Sequence, residues 1–276
     1  MELISGSQIA EEIKSALRVK NQEAGIIPQL EVVLVGENEE SKVYVNLKEK
    51  AALSISARTS IRQLPASISK EGLLAVIAEA NNDPAIDGII IQLPLPQDLS
   101  PYQDEFLEAI KTEKDVDGFN PINRGTLIAG QAEFVSCAAL ACMEIINRYP
   151  PPGKNAVLVG DSFDLILPLA ISLVREDFNV SVIKEYQAGL VQTADLLVVE
   201  KGQAGIVKGQ DLREGMLVID AGFHWEKGKT LGNVDKDSCS DLNGYLLPVP
   251  GGLGPMLIAK LMENLSQAAF KNRSSS

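Results

Sequence analysis

The sequence predicts an α/β protein built on parallel sheets. Short apolar, β-branched runs alternate with amphipathic helical segments almost throughout, and strands joined through helices run parallel with both sheet faces covered. The alternation restarts after a proline-rich break, and 276 residues suffice for two ordinary domains or one large one. Apolar residues make up 45% of the chain, enough for sizeable cores and too many for a disordered polymer.

Taken in order, Ser5, Gly6, Ser7 and Gln8 form a capping sequence for a helix to about Gln22, with Ile9, Ile13 and Leu17 on one face. Leu30 to Val35 is a β-branched run closed by Gly36, which reads as a buried strand. Ser41 to about Ser54 is helical and Ala57 to Leu64 extended. Glu71 to Asn81 is a second amphipathic helix, and Ile86 to Leu93 the next strand, ended by prolines that cannot continue a ladder. Phe134 to Tyr149 reads as a helix, broken by Pro150, Pro151, Pro152 and Gly153. Ala156 to Val159 is a strand that turns at Gly160, Asp161 and Ser162. A helix from about Leu167 to Glu176 follows, then strands at Val180–Lys184, Ala194–Val199 and Met216–Ala221. The last helix spans Pro255 to Phe270, with proline in its tolerated first turn, and Lys271 to Ser276 should fray.

Composition excludes several classes of function. A net charge of −12 without a long basic block argues against nucleic-acid binding. Three cysteines, Cys137, Cys142 and Cys239, suit a reducing cytoplasm better than a disulfide scaffold. A metal site is not expected, because His224 is the only histidine and no CxxC or HxxxH spacing occurs. No basic-apolar leader and no run of transmembrane length is present, so a soluble, cytoplasmic protein is expected.

Three segments carry candidate chemistry. Gln92 stands at the strand end within the stretch from Asp87 to Pro96, and Asp117 lies in the punctuated stretch from Lys114 to Pro121. Strand ends of open α/β sheets are where ligands bind, and an amide beside a carboxylate suits a heterocycle with both donors and acceptors. Tyr44 and Lys48 share one helix face at i, i+4 spacing. A phenol there can stack on an aromatic substrate, and an amine, if partly desolvated, handles protons at neutral pH. In Leu247 to Met256, two prolines and three glycines precede the helix that opens at Pro255, a rigid path whose free N–H groups favour anionic or carbonyl groups. Plainer readings stand beside these: a turn-capping aspartate, a solvated lysine with Tyr44 packed on the core, and a rigid interdomain turn.

Together these segments resemble the bifunctional methylenetetrahydrofolate dehydrogenase/cyclohydrolase family. The match runs through Val35-Gly36, Ser41 to Lys48 with Tyr44, Asp87-Gly88 to Pro96, Lys114 to Phe119, and Pro248 to Met256, in order and across essentially the whole chain. The resemblance implies a two-domain α/β protein with a folate cleft between the domains. Residues 1–136, with 250–276 packing back, would form an αβα tetrahydrofolate-binding catalytic domain, and 137–249 a Rossmann-like, doubly wound NAD(P)-binding-type domain. It implies NADP-dependent oxidation of 5,10-methylenetetrahydrofolate and hydrolysis of the methenyl product to 10-formyltetrahydrofolate. Carried over by position, Lys48 is the catalytic amine, Tyr44 stacks on the p-aminobenzoyl ring, Gln92 positions Lys48 and substrate, and Asp117 holds the pterin by hydrogen bonds. Leu93, Pro94, Pro250, Gly251 and Gly252 complete the implied substrate site. A homodimer through the second domain is also implied.

The nucleotide side departs from the family pattern Gly-Arg-Ser-x-x-Val-Gly-x-Pro. Here Gly160, Asp161 and Ser162 are followed by Phe163, Asp164, Leu165, Ile166, Leu167 and Pro168. Asp161 replaces an arginine that resembles a 2′-phosphate anchor and should repel that phosphate. Ile166 replaces a glycine and should obstruct a pyrophosphate, and Asp164 adds negative charge at the helix start. Cys-His-Ser of the family is here Lys184-Glu185-Tyr186, and a small-residue turn has become Glu200-Lys201-Gly202. Pro-Cys-Thr-Pro-x-Gly is here Ser136 to Ala141, keeping only Cys137, for which no activating histidine lies nearby. The expectation is a retained folate site with an impaired NADP site, and cyclohydrolase activity better supported than dehydrogenase activity. The alternatives are a non-catalytic folate-binding homologue and an NAD-linked dehydrogenase, in which Asp161 or Glu185 accepts from a ribose hydroxyl.

Overall fold

A computed structural model describes residues 1–226 and 228–274. The chain forms two compact units, one from Met1–Ala10 with Ala138–Leu257 and the other from Glu11–Cys137 with Ile258 onward. Among the described residues, no helix is long and apolar enough to cross a membrane.

The chain opens with β1 (Glu2–Leu3) and α1 (Gly6–Glu23). Ser5 caps α1, its hydroxyl accepting from Gln8 N at 3.3 Å, and Ile9, Ile13 and Leu17 form the buried face that their spacing predicts. Next come β2 (Gln29–Val35), α2 (Glu39–Ser54), β3 (Arg58–Leu64), α3 (Lys70–Asn82) and β4 (Gly88–Ile91). Asn38 starts α2 by accepting from Ser41 N at 2.8 Å, and Glu39 and Glu40 add negative charge at its positive end. These strands form a three-stranded parallel sheet in the order β3-β2-β4. Leu30, Val32 and Val33 of central β2 are completely buried, as a strand packed on both faces requires.

β4 is shorter than the expected Ile86–Leu93. Asp87 turns away to side-chain duties, accepting from Gln29 N at 2.9 Å and pairing with Arg273 at 3.0 Å, and Pro94 has no N–H to offer. Two short helices, α4 (Gln103–Ala109) and α5 (Pro121–Thr126), escaped periodicity because neither exceeds two turns.

The second unit carries α6 (Cys137–Arg148), β5 (Asn155–Val159), α7 (Ile166–Arg175), β6 (Asn179–Ile183) and α8 (Ala188–Val191). β7 (Leu196–Val199), β8 (Leu217–Asp220), the antiparallel hairpin β9 (His224–Glu226) and β10 (Lys229–Leu231), and β11 (Tyr245–Leu247) follow. A six-stranded parallel sheet has the order β1-β11-β8-β7-β5-β6. Strand order reverses at β5, whose successor β6 lies on one side and β7 on the other, so the doubly wound expectation holds here. β1 and β11 are too short for an apolar period to reveal. α6 begins three residues later than expected from Phe134.

The last helix, α9 (Leu253–Ser274), is longer than the expected Pro255–Phe270. Lys271–Ser274 is helical rather than frayed: Arg273 donates to Asp87 Oδ1 at 3.0 Å and to Ala269 O at 2.8 Å, which fixes the final turn. The rest of the expected fray, residues 275 and 276, lies outside the described residues.

Candidate functional site

The first cluster grows from the reversal of strand order around β2. The chain leaves β2 at Gly36 into α2, which carries Lys48, and leaves β4 at Gln92, which puts Gln92 at the carboxyl edge of the sheet. Lys48 Nζ donates to Gln92 Oε1 at 3.0 Å. Gln92 Nε2 donates to Leu93 O at 2.7 Å, which turns the amide oxygen toward the lysine. In its neutral amine form the lysine uses one N–H toward Gln92 and keeps a lone pair that can accept a proton. Lys48 is 7% exposed and Tyr44 48% exposed, so the lysine is the buried member of the pair and the phenol ring is open, opposite to the plainer reading of both. Leu93 and Pro94 follow Gln92 directly, joined by a cis peptide.

The segment that carries Asp117 runs beside β4, with Ile89 N donating to Lys114 O at 2.8 Å. The loop is shaped by Asp115, which the motif contains but which residue-type reasoning passed over. Its carboxylate accepts from Phe119 N at 3.0 Å, Asn120 N at 2.8 Å and Asn123 Nδ2 at 2.8 Å. Burial pushes its carboxyl up to about 6, against those hydrogen bonds, which favour the charged form. Gly118 is required beside it. Its φ is +72°, and a Cβ there would stand 2.5 Å from Val135 C. Lys114 is structural, its Nζ donating to Ala80 O at 3.2 Å and Asp83 O at 2.7 Å.

Cys137 is buried, and the charges of Asp117, Lys48 and Asp115 all act on its thiol. Burial, then the Asp117 charge, pushes the thiol well above its ordinary range, so it is no nucleophile. Asn264 Nδ2 lies 3.6 Å from the sulfur and donates to Val116 O at 2.8 Å.

Pro250, Gly251 and Gly252 belong to the other unit. Gly251 O accepts from Ser7 N at 3.0 Å, and Val249–Pro250 is cis. Pro250 lines an open cavity of about 760 Å³ with Gly205, Lys208, Trp225 and Asp235.

In the same unit the turn after β5 is closed on itself. Gly160 has φ +141° and its N donates to Ile183 O at 2.8 Å. Ser162 Oγ accepts from Leu165 N at 3.3 Å and Ile166 N at 3.1 Å, and Leu167 N donates to Ser162 O at 3.0 Å. Pro168 has no N–H. Ile166 is fully buried, its Cγ1 2.9 Å from where a Cβ on Gly160 would stand. Asp161 pairs with Lys201, and Lys184 Nζ lies 3.8 Å from its other oxygen. The Lys201 hydrogen bond holds the Asp161 carboxyl below the usual range. The repulsion expected of Asp161 toward a phosphate is therefore offset by two ammonium groups, which sequence order did not reveal. Burial raises the carboxyls of Asp164 and Glu200, both of which hydrogen-bond Ser162.

Two family models match. Residues 4–117 fit the tetrahydrofolate dehydrogenase/cyclohydrolase catalytic domain and residues 136–273 its NAD(P)-binding domain. Bifunctional protein FolD 1 of Syntrophomonas wolfei is 52% identical over 278 residues, covering 99% of this chain and 100% of the relative. The crystal structure of the bifunctional FolD methylenetetrahydrofolate dehydrogenase/cyclohydrolase of Campylobacter jejuni superposes with a TM-score of 0.93 at 38% identity, covering 99% of each chain. The Trypanosoma brucei methylenetetrahydrofolate dehydrogenase-cyclohydrolase, complexed with NADP cofactor and inhibitor, gives 0.89 at 30% identity, covering 99% of this chain and 98% of its own.

Proposed function

The chain belongs to the tetrahydrofolate dehydrogenase/cyclohydrolase family, and from that premise we propose that it hydrolyses 5,10-methenyltetrahydrofolate to 10-formyltetrahydrofolate at a site centred on Lys48. The observation that carries this reading is the buried Lys48 Nζ held 3.0 Å from Gln92 Oε1 at the sheet's carboxyl edge. Water adds to the methenyl carbon and gives a proton to Lys48 Nζ. Cleavage of the carbon–N5 bond then leaves the formyl group on N10, the added hydroxyl becoming the formyl carbonyl as its proton passes to N5. Gln92 fixes the position of Nζ, and the open ring of Tyr44 offers a stacking face to the p-aminobenzoyl group. Asp117 accepts from the adjacent amino and ring N–H donors of the pterin, a pairing that suits a carboxylate. Leu93 and Pro94 flank the substrate beside Gln92. In this reading the unit holding Lys48 is the tetrahydrofolate-binding half and the unit holding Gly160 the nucleotide-type half.

We read the nucleotide half as impaired. A dinucleotide diphosphate takes its hydrogen bonds from a glycine turn and from the first N–H groups of the following helix. Here Ser162 takes up the donors of Leu165, Ile166 and Leu167, and Ile166 fills the space beside Gly160. The residues of this turn do not fit the diphosphate. The pairing of Asp161 with Lys201 and Lys184 weakens the case from charge repulsion and leaves the case from occupied donors and filled space.

Absorbance of the methenyl chromophore tests both halves. Accelerated decay without nucleotide is expected, abolished in Lys48→Ala while folate affinity is partly kept. Decay at the spontaneous rate would leave a folate binder without turnover. NADP- or NAD-dependent formation of methenyl from methylene substrate would refute the impairment. A homodimer is the assembly this reading carries, and light scattering of the purified protein checks it.

A further inference from the structure

Strand order reverses beside β5, which places the crevice of the six-stranded sheet between the ends of β5 and β7. Gly160 follows β5 and Glu200 follows β7. The two meet: Glu200 Oε2 lies 2.5 Å, and Glu200 Cβ 3.3 Å, from where a Cβ on Gly160 would stand. That oxygen is buried without a hydrogen-bond partner. The carboxylate is held by the N–H and the hydroxyl of Ser162. The same hydroxyl accepts from Leu165 N and Ile166 N, and its one proton is shared between the Glu200 and Asp164 carboxylates.

We propose that the Glu200 carboxylate is an internal anion occupying the place of a dinucleotide's diphosphate, and that this side chain, backed by Ile166, excludes NADP(H) and NAD(H) from the crevice. The proposal rests on the reading that this chain hydrolyses its substrate without nucleotide. A carboxylate and a diphosphate seek the same partners: N–H donors, a hydroxyl, and the bare surface of a glycine. Whichever is covalently attached wins at ordinary ligand concentration, because it loses no translational freedom on binding. Asp164, whose carboxylate also hydrogen-bonds Ser162, adds a second negative charge at the same hydroxyl. Lys201, the neighbour of Glu200 in sequence, is paired with Asp161. Glu200 Oε2 itself has no donor, which is the cost of seating an acidic side chain where a larger, better solvated anion would otherwise stand.

Calorimetric titration of the full chain with NADPH and NADH, alongside Glu200→Ala and Glu200→Gln, tests the assignment. Wild type should show no saturable binding at millimolar nucleotide. Glu200→Ala should bind at least tenfold above the wild-type detection limit and gain a Tm increase with nucleotide. Glu200→Gln, which keeps the volume and loses the charge, should gain less. Saturable micromolar binding by wild type would overturn the proposal. So would a folded Glu200→Ala with no gain. If Glu200→Ala does not fold, Glu200→Gln carries the test, and nucleotide binding no tighter than wild type overturns it. Nucleotide-free hydrolysis on the same samples should be equal in all three proteins. Its absence from wild type would refute the proposed activity while leaving the binding result standing.

Discussion

Lys48 Nζ and Gln92 Oε1 meet at 3.0 Å, tying the middle of α2 to the residue just beyond β4. The contact has one available geometry, because Gln92 Nε2 is committed to Leu93 O at 2.7 Å. Gln92→Leu keeps the volume and removes the acceptor. Steady-state hydrolysis of methenyltetrahydrofolate should show kcat reduced about 100-fold, with KM changed only a few-fold, because positioning is lost more than binding. An unchanged kcat would separate Gln92 from the chemistry.

In the proposed reading Asp117 acts on affinity rather than on proton transfer. Asp117→Asn replaces a charged acceptor with a neutral amide that presents one acceptor and one donor group. A charge-assisted hydrogen bond contributes about 1.5–3 kcal/mol, so folate Kd should rise about 10- to 100-fold in a fluorescence titration. Equal affinity would remove Asp117 from the pterin.

Asp115 links stability to pH. Its folded carboxyl stands at about 6, above the ordinary 3.8, because burial outweighs three hydrogen bonds. A raised value means that its contribution is fully present below the unfolded value and is lost as pH rises through the folded one. The window lies between roughly pH 4 and 6, with a span of about 3 kcal/mol as an order of magnitude. Urea unfolding across that window should show a shallower fall of stability with pH in Asp115→Asn than in wild type. Asp115→Ala, which orphans three donors, should lose about 2–4 kcal/mol at any pH. Parallel pH profiles for wild type and Asp115→Asn would contradict the assignment.

Gly160→Ala forces a Cβ into a backbone with φ +141°, against Glu200 Oε2 at 2.5 Å and Ile166 Cγ1 at 2.9 Å. The expected loss is about 1–3 kcal/mol in urea unfolding. In a Glu200→Ala background the loss should shrink, since one of the two obstructions is gone and neighbouring sites couple. Strict additivity would mean that Glu200 does not press on this turn.

Helices α1, α2 and α3 were legible because each carries a capping side chain and an apolar period long enough to count. β1, β11, α4 and α8 were not, since two to seven residues hold too few periods. Lys48, Gln92 and Asp117 stood out as chemistry-bearing side chains at strand ends and on one helix face. Asp115 and Glu200 did not, because an acid after an apolar run reads the same whether it faces water or a glycine turn.

By itself the sequence determined the α/β alternation, the parallel strands and the residue types gathered at the carboxyl edges, because periodicity and punctuation are local properties of a chain. Only the tertiary structure decided that Lys48 is buried while Tyr44 is open, that Asp161 is neutralised by Lys201 and Lys184, and that Glu200 folds onto Gly160. Those outcomes depend on which strand ends become neighbours, and charge balance and filled space arise only between residues that folding brings within a few ångströms.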